Sequence, residues 1–327
     1  MNFIGVDVDS KYLVCRIQRG EKRFPIAQFD NNPVGFRKFS KWATKRQVPA
    51  RVTMEATGVY SLPFALSLHE TPGIEVSVMN PKAIKNFIIA QMQRGKTDAL
   101  DATAILEYNL RMKFKPWQPP REEVLELQHI TRRIGQLNTE LTRERNRHKV
   151  ASRLGVIGRV VTNDTAVNMR HLQRRIDTME QAAIDIVKHD TQLNPRLEQL
   201  VSVTGIAMKT GPRLLAELAS LPGDMSGPQW VAHAGLDPRP HESGSSTNKP
   251  RRVSKAGNRY IRDALFYPAL VASQKDKHVK AFYEKLLNKG KKPMQALVAI
   301  MRKLLLAIWG MFKSNTNWDG EKFYKIA

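Results

Sequence analysis

Apolar and polar positions follow two different periods along this chain. From residue 2 to about 80 the short runs "FIGVDV" and "YLVCRIQ", rich in β-branched residues and parted by a polar turn, predict two strands, and "KRFPIAQF" predicts a third antiparallel to them. Val34, Phe36, Phe39 and Trp42 then stand at helical spacing behind an Asn-Pro start. "ARVTMEA" predicts a buried strand, "YSLPFALSLHE" a helix despite Pro63, and "IEVSVMN" one more strand.

The pattern breaks at "KFKPWQPP", residues 113 to 120, and a domain boundary is expected there. Beyond it Leu127, Ile130, Ile134, Leu137 and Leu141, and later Met169, Leu172, Ile176, Met179, Ala183 and Ile186, recur at helical intervals. They predict a helical hairpin with coiled-coil character, which serves either self-association or packing within its own domain. From about 196 the chain reads as mostly helical, and "LVSVTGIAMKTGPRLLAELA" suits either a phosphate-holding helix-hairpin-helix or an ordinary corner between helices. Three parts follow: 1–115, an α/β domain; 120–195, the hairpin; and 196–327, a helical domain. Three strands in a meander, a helix, then alternating strands and helices is the element order of the ribonuclease H-like fold.

Charge narrows the function. Against 30 Asp and Glu the chain carries 53 Lys and Arg, a formal net charge of +23, while 42% apolar and 25% charged residues are those of a folded protein. A polyanionic partner is implied, and nucleic acid suits it better than a bilayer: the longest apolar run, "LLLAIWGMF" at 304 to 312, is about half of the roughly 20 residues a span needs. The N-terminal residues have neither a basic stretch nor a cleavage site, so no secretion signal is expected. A single cysteine, Cys15, leaves no disulfide framework and no multi-cysteine zinc site. A cytoplasmic, nucleoid-associated protein is expected.

Four carboxylates stand out in so basic a chain. Asp7 lies in the apolar "FIGVDV", where an unpaired carboxylate is costly. Glu55 ends another strand and is followed by the small-residue turn "ATG". Asp98 and Asp101 are spaced i, i+3 at a helix start and share a face. Asp9 rivals Asp7, because alternation puts both on one strand face. Oxygen ligands of this kind suit Mg²⁺ or Mn²⁺, and two such ions promote phosphoryl transfer. Taken singly, each acid is better explained as a helix cap, a first-turn charge or an edge residue, and only the set in this order points to a site.

"IGVD", "MEATGVY", "NPKAIKNF", "RGKTDALDA", "ESGSS" and "SKAGNRYIRDAL", in this order, resemble the DEDD transposases of the insertion-sequence-110 family, which includes the Piv-type invertases. The resemblance runs over nearly the whole chain. It implies a RuvC-like (ribonuclease H fold) domain, a coiled coil and a C-terminal transposase domain, with catalytic and metal-binding acids at Asp7, Glu55, Asp98 and Asp101. It implies a catalytic serine at Ser243, which attacks a DNA phosphodiester and forms a transient 5′-phosphoserine link, with Mg²⁺ held by the acids. Its partners would be double-stranded donor and target DNA and a structured guide RNA, on a homodimer that assembles to a tetramer. "TGIAMKTG" departs from the family's "PGIG" type of turn.

An enzyme hydroxyl as nucleophile conserves the phosphodiester energy, so strands can be exchanged and resealed without ATP. From Ser243 to Arg262 the chain carries no acid, and Lys249, Arg251, Arg252, Lys255 and Arg259 could clamp phosphates, as could Arg94 and Lys96 before the Asp98 helix. The alternative is a RuvC-like nuclease or junction resolvase in which water attacks and "SGSS" is a tether. A third reading, a non-catalytic binding protein, needs the charge alone.

Overall fold

The computed structural model describes residues 1–92, 95, 97–239, 242–243, 247–248 and 252–326, the backbone alone at 242, 243, 247, 248 and 252. β1 (Asn2–Val8) and β2 (Tyr12–Arg19) pair antiparallel, from Asn2 opposite Arg19 to Val8 opposite Leu13. The expected third strand comes in two pieces, β3 (Lys22–Arg23) and β4 (Ala27–Asp30), both antiparallel to β2. Pro25 lies between them and has no N–H to continue the ladder. Asn32 starts α1 (Pro33–Ala43) by accepting the N–H of Gly35 at 2.9 Å. β5 (Ala50–Glu55) is parallel to β1; α2 (Leu62–His69) tolerates Pro63 because it sits in the first turn; and β6 (Ile74–Met79) is parallel to β5. α3 (Pro81–Ala90) and α4 (Asp98–Arg111) complete the unit. The sheet order β3-β2-β1-β5-β6, antiparallel then parallel, is compatible with a ribonuclease H-like domain.

Strand alternation gives this sheet two different faces. Ile4, Val6, Val52 and Met54 meet Phe36, Phe39, Phe64 and Leu68 in one apolar core, in which the Phe39 and Phe64 rings stand edge to face at 5.0 Å. The other face of β1, which carries Gly5 and Asp7, is crossed by α4.

The chain divides at Pro119 and Pro120 into two compact units. The second begins with α5 (Glu122–Ser152) and α6 (Arg159–His189), which run back along each other. Val124, Leu127, Thr131, Ile134, Leu137 and Leu141 are buried on α5, so Thr131 takes the place expected for Ile130, which is only partly buried. The hairpin shares its core with α7 (Leu193–Val201), α8 (Gly211–Ala219) and α9 (Gly227–His233). Four two-residue strands follow: β7 (Pro238–Arg239), β8 (Glu242–Ser243), β9 (Thr247–Asn248) and β10 (Arg252–Val253). β10 pairs with β7 and β8 with β9, both antiparallel. α10 (Arg259–Lys275), α11 (Lys277–Asn288), α12 (Pro293–Ser314) and α13 (Gly320–Phe323) close the unit.

α12 begins well before the apolar run seen in the sequence, and by length and composition it could cross a membrane. Its Leu297, Ile300, Met301, Leu304, Leu305, Ile308 and Met311 are instead buried in the core of the second unit.

Candidate active site

The first unit brings its acids to the C-terminal ends of β1 and β5. Val6 pairs with Met54 in the parallel register, so the next step sets Asp7 beside Glu55 on the same sheet face. α4 supplies the other two. Thr97, not Asp98, caps this helix, its hydroxyl accepting the N–H of Leu100 at 3.2 Å, which leaves Asp98 and Asp101 on the first turn with side chains not used as caps.

Three contacts set where that turn lies. Gly5 meets the α4 backbone: a Cβ built there would stand 2.2 Å from the Leu106 nitrogen and 2.5 Å from the Ala102 oxygen. Buried Asn109 donates its amide to the carbonyls of Ile4, 3.0 Å, and Arg51, 2.9 Å, and so ties α4 to β1 and β5 at once. Buried Glu107 binds Arg23 of β3 and, at 2.8 Å, Arg111 one turn on. With the C-terminal half of α4 held in this way, its first turn projects toward Asp7.

The charges act on one another as a cluster. Burial, and after it the negative charges of Asp98, Asp101, Glu55 and Asp9, push the Asp7 carboxyl from its ordinary 3.8 up to about 6. Asp9 is different: it lies past the end of β1, fully exposed, and backbone N–H groups of Ser10 and Lys11 hold its carboxyl below the usual range. Asp7, with the larger perturbation and the three acids as its neighbours, is therefore the strand residue that belongs to the cluster. As the side chains stand, no group of three or more His, Cys, Asp or Glu among the described residues could hold a metal ion. The donor set is nonetheless all oxygen, the ligand type that hard cations take.

In the second unit Ser243 lies on β8 opposite Thr247 of β9, and the β7–β10 pair brackets that segment. Ser254 donates to Asp237 beside this pair. Arg94, Lys96, Lys249 and Arg251 lie outside the described residues, and Arg252 is described by its backbone. Lys255 and Arg259 are exposed; Lys255 has a left-handed backbone, φ 50°, and Arg259 lies over the Tyr260 ring. Arg262 is spent on structure, donating to the carbonyls of Ala234 at 2.9 Å and Gly257 at 3.3 Å. The turn between α7 and α8 packs tightly at Gly205, φ 99°, where a Cβ would meet the Pro268 oxygen at 2.7 Å.

Sequence reasoning missed a buried carboxylate here. Glu217, 1% exposed, accepts from Arg132 through both oxygens at 2.8 and 3.0 Å and from Asn258, the N-cap of α10, at 2.6 Å. It ties α8, α5 and the start of α10 together. An acid inside the apolar stretch "LLAELA" was the available signal.

A basic protein with clustered carboxylates on a sheet compatible with a ribonuclease H-like domain suits the class of phosphoryl-transfer enzymes acting on nucleic acid. Comparison with known proteins is more specific. Residues 4–151 match a DEDD transposase description of the insertion-sequence-110 type, and residues 197–284 match "Transposase IS116/IS110/IS902 family". The chain is 28% identical over 325 residues to the pilin gene-inverting protein of Moraxella bovis, 97% of each chain being covered, and equally to that of Moraxella lacunata. It is 27% identical over 250 residues to a probable family 20 transposase of Pseudomonas aeruginosa, covering 68% of this chain and 70% of that protein. The chain belongs to the insertion-sequence-110 family of transposases and is a DNA transposase or recombinase. Membership in a DEDD family implies dependence on a divalent metal.

Proposed function

We propose that this protein cuts and rejoins DNA through Ser243, in a site-specific recombination guided by a structured RNA that pairs with donor and target. The observation that supports it best is the crowding of Asp7 by Asp98, Asp101 and Glu55, whose negative charges add to burial in pushing its carboxyl up to about 6. Those four carboxylates would hold Mg²⁺, which when bound supplies Lewis-acid stabilisation of the charge that builds on a phosphoryl group. A cation would also offset the repulsion that these carboxylates exert on Asp7.

In the covalent step the Ser243 hydroxyl oxygen forms a bond to the phosphorus of a DNA phosphodiester. The P–O3′ bond breaks, and the serine proton ends on the departing 3′ oxygen, giving a 5′-phosphoserine and a free 3′-hydroxyl. Attack by the 3′-hydroxyl of the other strand reverses these changes and frees the serine. Lys255 and Arg259, exposed after the serine segment, would bind flanking phosphates.

Self-association is supported by the hairpin tip. Val150, Leu154, Val156, Ile157, Val160 and Val161 are all more than half exposed between α5 and α6, an aliphatic surface of a kind that marks contact sites. We assign the tip to contact between copies in a dimer that assembles further to a tetramer.

The test is to purify the protein with its native locus, sequence the RNA that accompanies it, and trap the DNA adduct for mass spectrometry. A serine-linked DNA peptide at Ser243 and a defined RNA are expected. Metal-dependent cleavage that survives Ser243→Ala would replace this reading with a nuclease in which water attacks.

A further inference from the structure

A second polar site lies in the second unit, away from the serine segment in sequence on two of its three walls. Between α5, the start of α8 and the start of α10 there is an open cleft of about 480 Å³. Arg132 and Arg143 of α5, Arg213 of α8 and Arg259 of α10 all line it. Helix surfaces seldom bring four guanidinium groups together unless something holds them there, and two devices do so here. Glu217, buried behind the cleft, fixes Arg132 in a bidentate pair, and the Tyr260 ring carries the guanidiniums of both Arg132, 4.5 Å, and Arg259, 5.0 Å. Gly135 lies on the α5 side, where a Cβ would be in ordinary van der Waals contact with Arg213 Nη2 at 3.6 Å.

The cleft also holds two acids, Glu140 and Asp263. Glu140 faces Arg133 at 3.9 Å, and Asp263 is close enough to Arg259 to act on its charge. Arg143 and Arg213 have no carboxylate partner among the described residues. Planar forks without a carboxylate suit phosphate, which takes two N–H donors from one guanidinium. A nucleobase fits less well, because the aromatic face on which it would stack already carries cations.

The geometry points to a binding site for the phosphodiester backbone of DNA in this cleft, with Arg143 and Arg213 as the phosphate ligands and Arg132 and Arg259 as their fixed surround. It rests on the reading that the chain acts on DNA through Ser243. DNA is favoured over RNA by position: α10 starts six residues after Val253 of β10, the strand that brackets the serine segment, and Asn258 and Glu217 hold that start in place. A strand joined to the serine would be gripped by the cleft a short way along its backbone. The contact would be to phosphate and so would position DNA without reading its sequence.

The test is equilibrium binding of the full chain to labelled duplex DNA and, in parallel, to labelled duplex RNA, over a range of salt concentrations. Arg143→Gln plus Arg213→Gln is expected to weaken DNA binding about tenfold near physiological salt and to lower the slope of log affinity against log salt by about 2. RNA binding should change less than about twofold, and Arg143→Lys plus Arg213→Lys should restore most of the salt slope. An unchanged DNA slope, loss of RNA binding in place of DNA binding, or an equal loss from Arg37→Gln plus Lys38→Gln on α1 would each overturn the site. A wild-type protein that binds no DNA at all would overturn the DNA reading first, and the cleft with it. Melting curves of both double variants should coincide with the wild type; a lower melting temperature that accounts for the lost DNA affinity would likewise overturn the assignment.

Discussion

Gly5 of β1 and Ala102 of α4 touch backbone to backbone, and any Cβ on Gly5 would lie within 2.5 Å of the Ala102 oxygen. That distance sets how low α4 rides on the sheet, and with it the separation of Asp98 and Asp101 from Asp7. Gly5→Ala should cost about 1–3 kcal/mol of stability through overpacking. Strand transfer should fall further than the folded fraction does, read by denaturant titration beside a recombination assay. Equal losses in the two would show that Gly5 serves stability alone.

Asp7 should make the metal-free protein pH-sensitive. Its folded carboxyl titrates at about 6 against an ordinary 3.8, so between these values the folded state holds the proton more tightly than the unfolded chain does. Stability therefore falls as pH rises from about 4 to about 6, and it stays lower above. Asp7→Asn should abolish this slope and melt higher than wild type at about pH 7.5. The proton competes with a cation, so Mg²⁺ should raise the wild-type melting temperature more at about pH 7.5 than at about pH 5.5, and leave Asp7→Asn nearly unmoved.

Glu217 anchors three elements from inside the core. Glu217→Ala strands Arg132 and Asn258 and should cost about 3–5 kcal/mol. Glu217→Gln keeps one acceptor oxygen for Asn258 and should cost clearly less, as thermal unfolding of both would show. Equal costs would mean that the lost charge beside Arg132 accounts for the whole effect and that the acceptor kept for Asn258 contributes little.

The hairpin tip offers a separation of association from folding. Val156 and Ile157, 88% and 90% exposed, can be replaced by Asp with a change in stability within about 0.5 kcal/mol. Sedimentation should then show smaller assemblies than wild type. An unchanged assembly would remove the tip as the contact surface.

Much of the first unit was legible because its signals are local. Asn32 before Pro33 and the apolar runs holding Ile4, Val6, Val52 and Met54 each act over a few residues, and each was found in its place, whereas the cap of α4 is Thr97 and not Asp98. Pro25 split the third strand for an equally local reason that the apolar pattern conceals. What the pattern could not reveal was contact between distant segments. Glycine in "FIGVDV" signals close approach, but only the fold says that α4 is what approaches. Thr131 displaces Ile130 from the seam because α5 packs on α8 as well as α6, which turns its buried face. Asp7 and Asp9, alike by alternation, differ in the fold because β1 stops at Val8. Glu217 and the four arginines of the cleft come from three helices, and no periodicity links them.

Asn109 holds Ile4 and Arg51 with one amide, a bond that spans 105 residues of chain on one side and 58 on the other. The acid cluster therefore cannot assemble from any early fragment: β1 waits for β5, and both wait for α4. A nascent chain leaving the ribosome would carry Asp7 and Glu55 long before it could use them. Folding order thus acts as a safety catch, and the four carboxylates meet only in a finished domain.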